Sequence, residues 1–386
     1  MNAPQNLNAF ARPAAIKPSG SQNAIKIIGA VIAILIALLL GLIVLVLIGV
    51  ETGPVALLIG MVSAVLPVPI YLTLVIWIDR YEAEPFWMLA TAFLWGALVA
   101  VFFAFLLNTA SGMAVTMMTN SVKAGHTFGA VISAPIVEES AKALILFIFF
   151  FAKKDEFDGV IDGIVYAAMV GLGFAMTENI QYYGRAVLEG GTGGLTFTII
   201  LRGFMAPFSH PMFTSFTGIG LGLARQTRNS AVKWIAPPLG LMAAMSMHSI
   251  WNGSGVLFGG LAFFLTYILI MIPAFFIMLV VIILGLRREG QIVREFLGPD
   301  FKGGLLTQQE FNRLCSVTGR MGTSFDALSR GGVGQWRTAR QFNQAASELA
   351  FHRSRVSRGI SAANALERDA AYRQSLVDLL ARLRAK

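Results

Sequence analysis

The sequence predicts an all-α polytopic membrane protein of about eight transmembrane helices, followed by a helical soluble C-terminal tail. Three observations predict it. Only 13% of the 386 residues are charged, mean hydropathy is +0.68, and apolar runs close to the roughly 20 residues a bilayer requires recur throughout residues 24–286. Water cannot be the main solvent of such a chain. The single cysteine, Cys315, excludes an internal disulfide and fits no metal-ligand spacing. The net charge of +9 does not call for nucleic acid: residues 287–386 hold 17 Lys/Arg against 9 Asp/Glu, and the remainder follows the positive cytoplasmic flanks of membrane proteins.

Residues 1–23 are polar and read as a flexible cytoplasmic tail. The first apolar run, Ala24 to Val50, is too long for a signal-peptide core and reads as a retained, peripheral span. Further spans are expected at Pro54–Ile78, Phe86–Leu107, Phe128–Ala152, Gly159–Tyr183, Leu195–Ala224, Trp234–Asn252 and Gly259–Leu286, which makes residues 24–286 a transmembrane domain. With the N-terminus inside, the short inner segments carry nine Lys/Arg (Arg12, Lys17, Lys26, Arg80, Lys153, Lys154, Arg225, Arg228, Lys233) and the outer loops two (Lys123, Arg185), so both termini are expected in the cytoplasm. Gly171 and Gly173 on the fifth span, and Gly218 with Gly222 on the sixth, predict close helix approach.

Residues 287–386 predict a basic cytoplasmic module. Thr307 and Glu310 have capping-box spacing, Gly331, Gly332 and Gly334 break the chain, and two polar helices are expected near 336–357 and 362–384. Leu376, Leu379, Leu380 and Leu383 form an apolar stripe, and His352 reads as a solvated surface residue. A protein partner or anionic lipid headgroups suit this tail.

Chemistry is concentrated inside the spans. Glu138, Glu139 and Lys142 occur in the fourth, where an ionisable group costs about 2.5–3.5 kcal/mol at the centre of a helix. Lys142 lies four residues after Glu138 and three after Glu139, so it flanks both carboxylates. A buried ion pair that only ties helices together is the bland alternative, but it needs one acid rather than two. Glu178 and Asn179 occur in the fifth span. His210 shares a face with Thr214 and Thr217 on the sixth, and His248 and Asn252 are i and i+4 on the seventh, a spacing suited to holding one small polar target. Arg202 reads as a residue that snorkels to the outer surface.

Counted from the outer helix ends at 1.5 Å per residue, Glu138, Glu178, His210 and His248 all fall in the outer half of the membrane or near its midplane. Carboxylates and histidines without a serine or cysteine nucleophile point to an attacking water activated by a glutamate, with histidine and asparagine stabilising the oxyanion. The zinc-protease motif His-Glu-x-x-His, the aspartyl motif Gly-x-Gly-Asp and the rhomboid motif Gly-x-Ser-Gly do not occur. A proton- or cation-coupled transporter uses similar buried groups but calls for paired internal repeats with broken helices, and the sequence shows none, although Pro67 and Pro69 interrupt the second span. An inactive scaffold that works through its tail is the third reading.

Glu138-Glu139-x-x-Lys142, Phe174-x-x-x-Glu178-Asn179, His210 and His248-x-x-x-Asn252, in this order, resemble the motifs of the PrsW family of intramembrane proteases, distantly similar to the CAAX prenyl protease superfamily. Asp79 to Pro85, Asp162 to Tyr166 and Gly171 to Phe174 resemble further segments of that family. The resemblance spans roughly residues 60–260 and implies an integral protein of the bacterial inner membrane that cuts membrane-anchored substrates of the anti-sigma-factor kind on the extracytoplasmic side. It implies Glu138 as general base, Glu139 as its partner, Lys142 as the group that orients them, and Glu178, with Asn179 beside it, as a second acid or base. His248 and Asn252 would hold the water or oxyanion, and His210 would complete the pocket. Cofactors are expected to be none or zinc; zinc would be held by Glu138, Glu178, His210 and His248. A homo-oligomer is compatible with all of this.

Overall fold

The computed structural model describes residues 20–359 and 364–385, with side chains from Ile27 onward, and every regular element in it is helical. Of the tail expected over 1–23, residues 1–19 lie outside the described residues, and 20–23 already belong to helix α1 (Gly20–Thr52). Two compact units divide the chain: residues 37–289, and residues 290–386 with the segment through Ile36.

In the larger unit α1 leads into α2 (Pro54–Val65) and α3 (Val68–Ile78), which are parted at Pro67. Next come α4 (Phe86–Leu94), a π-helical stretch at Trp95–Ala100 and α5 (Val101–Thr119). Then α6 (Val122–Phe128), a π turn at Gly129–Ser133 and α7 (Ala134–Ala152) form one rod. Helix α8 (Val160–Ile199) is broken at Gly191, whose φ of 57° suits glycine, and passes through a π stretch at Ile200–Met205 before α9 (Ser209–Gln226). The unit closes with α10 (Ser230–Phe258), α11 (Gly260–Thr266), a π turn at Tyr267–Met271 and most of α12 (Ile272–Phe296).

Five stretches among the described residues are long and apolar enough to cross a membrane: Ile27–Thr52, Pro54–Ile78, Phe86–Thr119, Val160–Gln226 and Gly260–Phe296. Val160–Gln226 contains both the fifth and the sixth expected spans. The rods at 122–152 and 230–258, expected as the fourth and seventh, fall outside this set. The first carries Glu138, Glu139 and Lys142 at its centre, and the second carries Pro237, Pro238, His248 and Asn252.

Helix α8 is the axis of the unit. In lipid no hydrophobic force brings helices together, so association rests on close packing. A Cβ on Gly163 would stand 2.1 Å from the Gly218 carbonyl oxygen of α9, and one on Gly173 would stand 2.0 Å from that of Phe93 in α4. Backbone therefore touches backbone along α8, and any side chain at these positions forces the rods apart. By contrast α1 keeps most of its Ile and Leu side chains exposed, the peripheral position expected for it.

At the N-terminal end of α8 the acidic segment 79–85 folds inward. Asp79 accepts the Glu84 amide at 2.7 Å, and Tyr166 donates to Glu84 at 2.5 Å. Burial pushes the Asp79 carboxyl up to about 7, with the Glu84 amide opposing and the Glu82 charge adding to the shift.

The smaller unit holds α13 (Gly298–Lys302), α14 (Gln308–Leu314), α15 (Val317–Ser357, broken at Gly332) and α16 (Ala365–Arg384). The Thr307 capping box forms, with Thr307 N donating to Glu310 Oε2 at 2.8 Å and Thr307 Oγ1 accepting from Glu310 N at 3.2 Å. Leu376, Leu379 and Leu380 are buried with Phe342, Leu349 and Tyr372. Buried Asp300 receives Arg373 Nε at 2.8 Å and also pairs with Arg353. His352 is not the surface residue expected: it is 1% exposed, its ring lies 5.5 Å from Tyr372, and Nε2 donates to the Ala365 carbonyl at 3.0 Å. It follows Leu349 by three residues and so falls on the packed face of α15.

Candidate active site

The polar groups scattered over four spans meet at one place in the larger unit. On α7, Lys142 Nζ lies 2.9 Å from Glu139 Oε1 and 3.4 Å from Glu138 Oε2, the contacts expected from their i, i+3 and i, i+4 spacing. Helix α9 adds His210, whose Nδ1 is 2.9 Å from Lys142 Nζ, and Thr214, whose hydroxyl donates to Glu139 Oε2 at 2.9 Å. Helix α10 adds His248, with Nδ1 3.1 Å from Glu139 Oε1 and Nε2 4.0 Å from Glu138 Oε2. Helix α8 adds Glu178, which lies 3.0 Å from His210 Nε2. The Lys142 ammonium also sits 3.8 Å above the Phe174 ring centroid, a cation–π contact in a desolvated setting.

These contacts fix the tautomers. Lys142 can only donate, so His210 Nδ1 accepts from it and Nε2 carries the proton given to Glu178. His248 donates through Nδ1 to Glu139, which turns Nε2 toward Glu138.

Glu138 lines a cavity of about 930 Å³, together with Glu178, Asn179, His210, His248 and Asn252. Glu139 and Lys142 do not line it; both are 0% exposed and stand behind Glu138. The double glutamate therefore divides into a carboxylate that faces the cavity and one that holds Lys142, His248 and Thr214 in position.

Two positions differ from expectation. Arg202 does not snorkel: it pairs with Glu178, donates from Nε to Asn179 Oδ1 at 2.6 Å, and lies 3.8 Å over the Tyr182 ring. A fixed carboxylate and amide one helix away hold it more firmly than lipid headgroups can. Asn252 does not share a target with His248, because its Nδ2 donates to the Ala130 carbonyl at 2.9 Å and closes the π turn before α7 against α10. Its i, i+4 partner bonds to α7 side chains instead.

Asn108 and Ser133 are the site's neighbours that sequence reasoning missed; Thr214 was expected only to share a face with His210, and Arg202 to lie at the outer surface. Asn108 on α5 donates from Nδ2 to Glu138 Oε1 at 3.3 Å, and Ser133 donates to Asn108 Oδ1 at 2.8 Å. Asn, Ser and Thr are common in spans; the available signal was Asn108 and Ser111 one turn apart just past the expected end of the third span at Leu107, in a rod that runs on to Thr119.

Residues 84–278 match the profile of the PrsW family of intramembrane metalloproteases. The chain belongs to the PrsW family. Similar proteins include Protease PrsW of Geobacillus kaustophilus, 34% identical over 147 residues, which are 38% of this chain and 58% of that one. Protease PrsW of Bacillus subtilis is 30% identical over 176 residues (45% of this chain, 72% of the relative). That of Oceanobacillus iheyensis is 28% identical over 208 residues (54% and 86%). No solved structure matches. Membership in PrsW makes the chain an integral membrane protein, in keeping with its apolar helices, and the matched residues 84–278 include every motif residue gathered around Glu138.

The site also bears on a metal. Glu138, His210 and His248 offer ligand atoms within 4.8 Å of one another. One carboxylate and two imidazoles is a donor set known for zinc, and Glu139 on Nδ1 of His248 is the outer partner that orients a ligating imidazole. The donors fit in kind, and His210 would join them by releasing Glu178 or Lys142.

Proposed function

We propose that this protein is an intramembrane endopeptidase that hydrolyses peptide bonds of membrane-anchored proteins, with Glu138 as the group that activates water. One observation carries the reading. Three carboxylates, Glu138 and Glu139 buried and Glu178 half-buried, face two cations: Lys142 is closest to Glu139, Arg202 pairs with Glu178, and Glu138 has only a 3.4 Å contact to Lys142. The least closely paired carboxylate is the one left to engage a further partner, water or a cation. It is also the one of the two adjacent glutamates that faces the cavity.

A water bonded to Glu138 Oε2 would give up its proton there as its oxygen adds to the scissile carbonyl. Lys142, 3.4 Å from Oε2, holds that oxygen in place. On collapse of the tetrahedral species the same proton passes to the leaving amine, and the new carboxylate product takes the hydroxyl. Glu178 and His210, joined at 3.0 Å, form a second acid–base pair on the cavity wall. A divalent metal held by Glu138, His210 and His248 would supply a bound water of lowered pKa, with Glu178 left to take the proton.

The family resemblance supports a single-span substrate of the anti-sigma-factor kind, cut on the extracytoplasmic side of the bacterial inner membrane, with both termini of the protease in the cytoplasm. The test compares the membrane proteomes of cells that express the wild-type chain or Glu138→Gln, with and without a zinc chelator. Truncated single-span proteins present with wild type and absent with Glu138→Gln are expected; identical fragments in both would sink the reading. Loss of fragments with the chelator alone would assign the metal-assisted form.

A further inference from the structure

Glu138 has two oxygens, and the structure treats them differently. Oε2 faces Lys142 at 3.4 Å and His248 Nε2 at 4.0 Å, whereas Oε1 faces only Asn108 Nδ2, at 3.3 Å. Asn108 belongs to α5, a helix that contributes none of the motif residues. Its amide cannot turn over freely, because Ser133 donates to Oδ1 at 2.8 Å and a flip would set the amide oxygen against the Glu138 carboxylate, acceptor against acceptor. Ser133 is 6% exposed and has Ser111 Oγ at 2.8 Å. It is the last residue of the π turn before α7, and such a turn rotates the residues ahead of it relative to the helix that follows. Ser133 and Glu138, on one rod, thus meet two ends of the same amide on another.

We propose that Asn108 is a positioning residue for Glu138. It holds Oε1, so that Oε2 alone is presented to water or cation, and Ser133 with Ser111 sets the amide in the orientation that donates. This inference rests on Glu138 being the working carboxylate. It adds that the geometry of that carboxylate is imposed from α5 through one amide. A donor on Oε1 polarises that C–O bond. Its loss must therefore change the stretching frequency of the Glu138 carboxylate, which a simple packing defect would not do.

The experiment uses the full chain in liposomes with 13C-carboxyl-labelled glutamate. Infrared difference spectra are recorded at one pH, with Glu138→Gln identifying the Glu138 carboxylate stretching band by its disappearance. Asn108→Ala and Ser133→Ala are expected to shift the frequency of that band, Ser133→Ala less than Asn108→Ala. Both are expected to lower turnover of substrates recovered from the proteome comparison by about 10- to 100-fold with little change in KM, the range for outer partners of a reacting group. An unmoved band in the variants, with the band itself present in wild type, overturns the proposal for Asn108 and leaves the protease reading intact. Full activity of Glu138→Gln would instead overturn the protease reading. Should Asn108→Ala fail to fold, Ser133→Ala, which removes one oxygen, decides the question by the same band.

Discussion

Removal of Lys142 puts the internal charge balance to a direct test. The ammonium is 0% exposed and lies 2.9 Å from both Glu139 Oε1 and His210 Nδ1. At an effective dielectric constant near 20, a pair at this distance attracts with about 5–6 kcal/mol gross, and stripping one partner from a buried pair costs about 3–5 kcal/mol net. Lys142→Met keeps the bulk of the stem and removes the charge. At about 2–4 °C per kcal/mol for a unit of this size, the thermal midpoint in detergent should fall by roughly 6–20 °C. Tryptophan fluorescence is suited to the measurement, because Trp95 Nε1 donates to the Ala141 carbonyl at 2.9 Å, one residue from Lys142. The double variant Lys142→Met, Glu139→Gln removes the orphaned charge as well and should recover a good part of the loss. A midpoint within about 2 °C of wild type for the single variant would refute the reasoning. So would a double variant no more stable than the single one.

Two further predictions concern carboxylates. Glu138→Gln should cost about 1 kcal/mol or less in thermal stability, because its contacts to Asn108 and Lys142 are long, whereas Glu139→Gln, with partners at 2.9, 3.1 and 2.9 Å, should cost about 3 kcal/mol or more. Equal losses in the two melting curves would contradict the division of the pair. Asp79 is raised by burial from 3.8 to about 7, so the folded state binds its proton more tightly than the unfolded state does. Stability should therefore be highest below pH 4 on this account and fall as pH rises toward 7, and Asp79→Asn should flatten melting temperature against pH over that window. An unchanged slope in the variant counts against it.

Ionisable residues in apolar sequence are costly, and that made Glu138, Glu139, Lys142, Glu178, His210 and His248 visible before any fold was known. Their meeting follows from depth alone: helices of alternating direction that carry polar groups at one level must bring them together if they pack. Partners that cost little in a span stayed hidden. Asn108 and Ser133 are unremarkable by composition, and only the contact of Asn108 with Glu138 on another rod, and of Ser133 with Asn108, gives them a role. Arg202 was misread because an arginine near a span end resembles an anchor, and no local pattern reveals a Glu178 lying 24 positions earlier. His352 was misread for the opposite reason, since polarity in a polar tail suggests solvent. Its i, i+3 relation to Leu349 was the better guide. Spans were blurred where chemistry is densest, because the residues that build a site lower the hydropathy by which a span is recognised.

The π turns act as phase shifters. An α-helix advances 100° per residue, so one additional residue in a turn sets everything beyond it a quarter-turn or so out of step with what came before. Three of the four π stretches among the described residues lie on rods that serve the site: Trp95–Ala100 beside Ala141, Gly129–Ser133 ahead of Glu138, and Ile200–Met205 carrying Arg202. Each lets one continuous rod turn a lipid-suited stripe outward at one level and a reactive stripe inward at the next, with no extra helix needed. Deleting a single residue from Gly129–Ile132 would mesh α6 and α7 on one stripe and set α6 a quarter-turn or so out of step with Ser133 and Glu138.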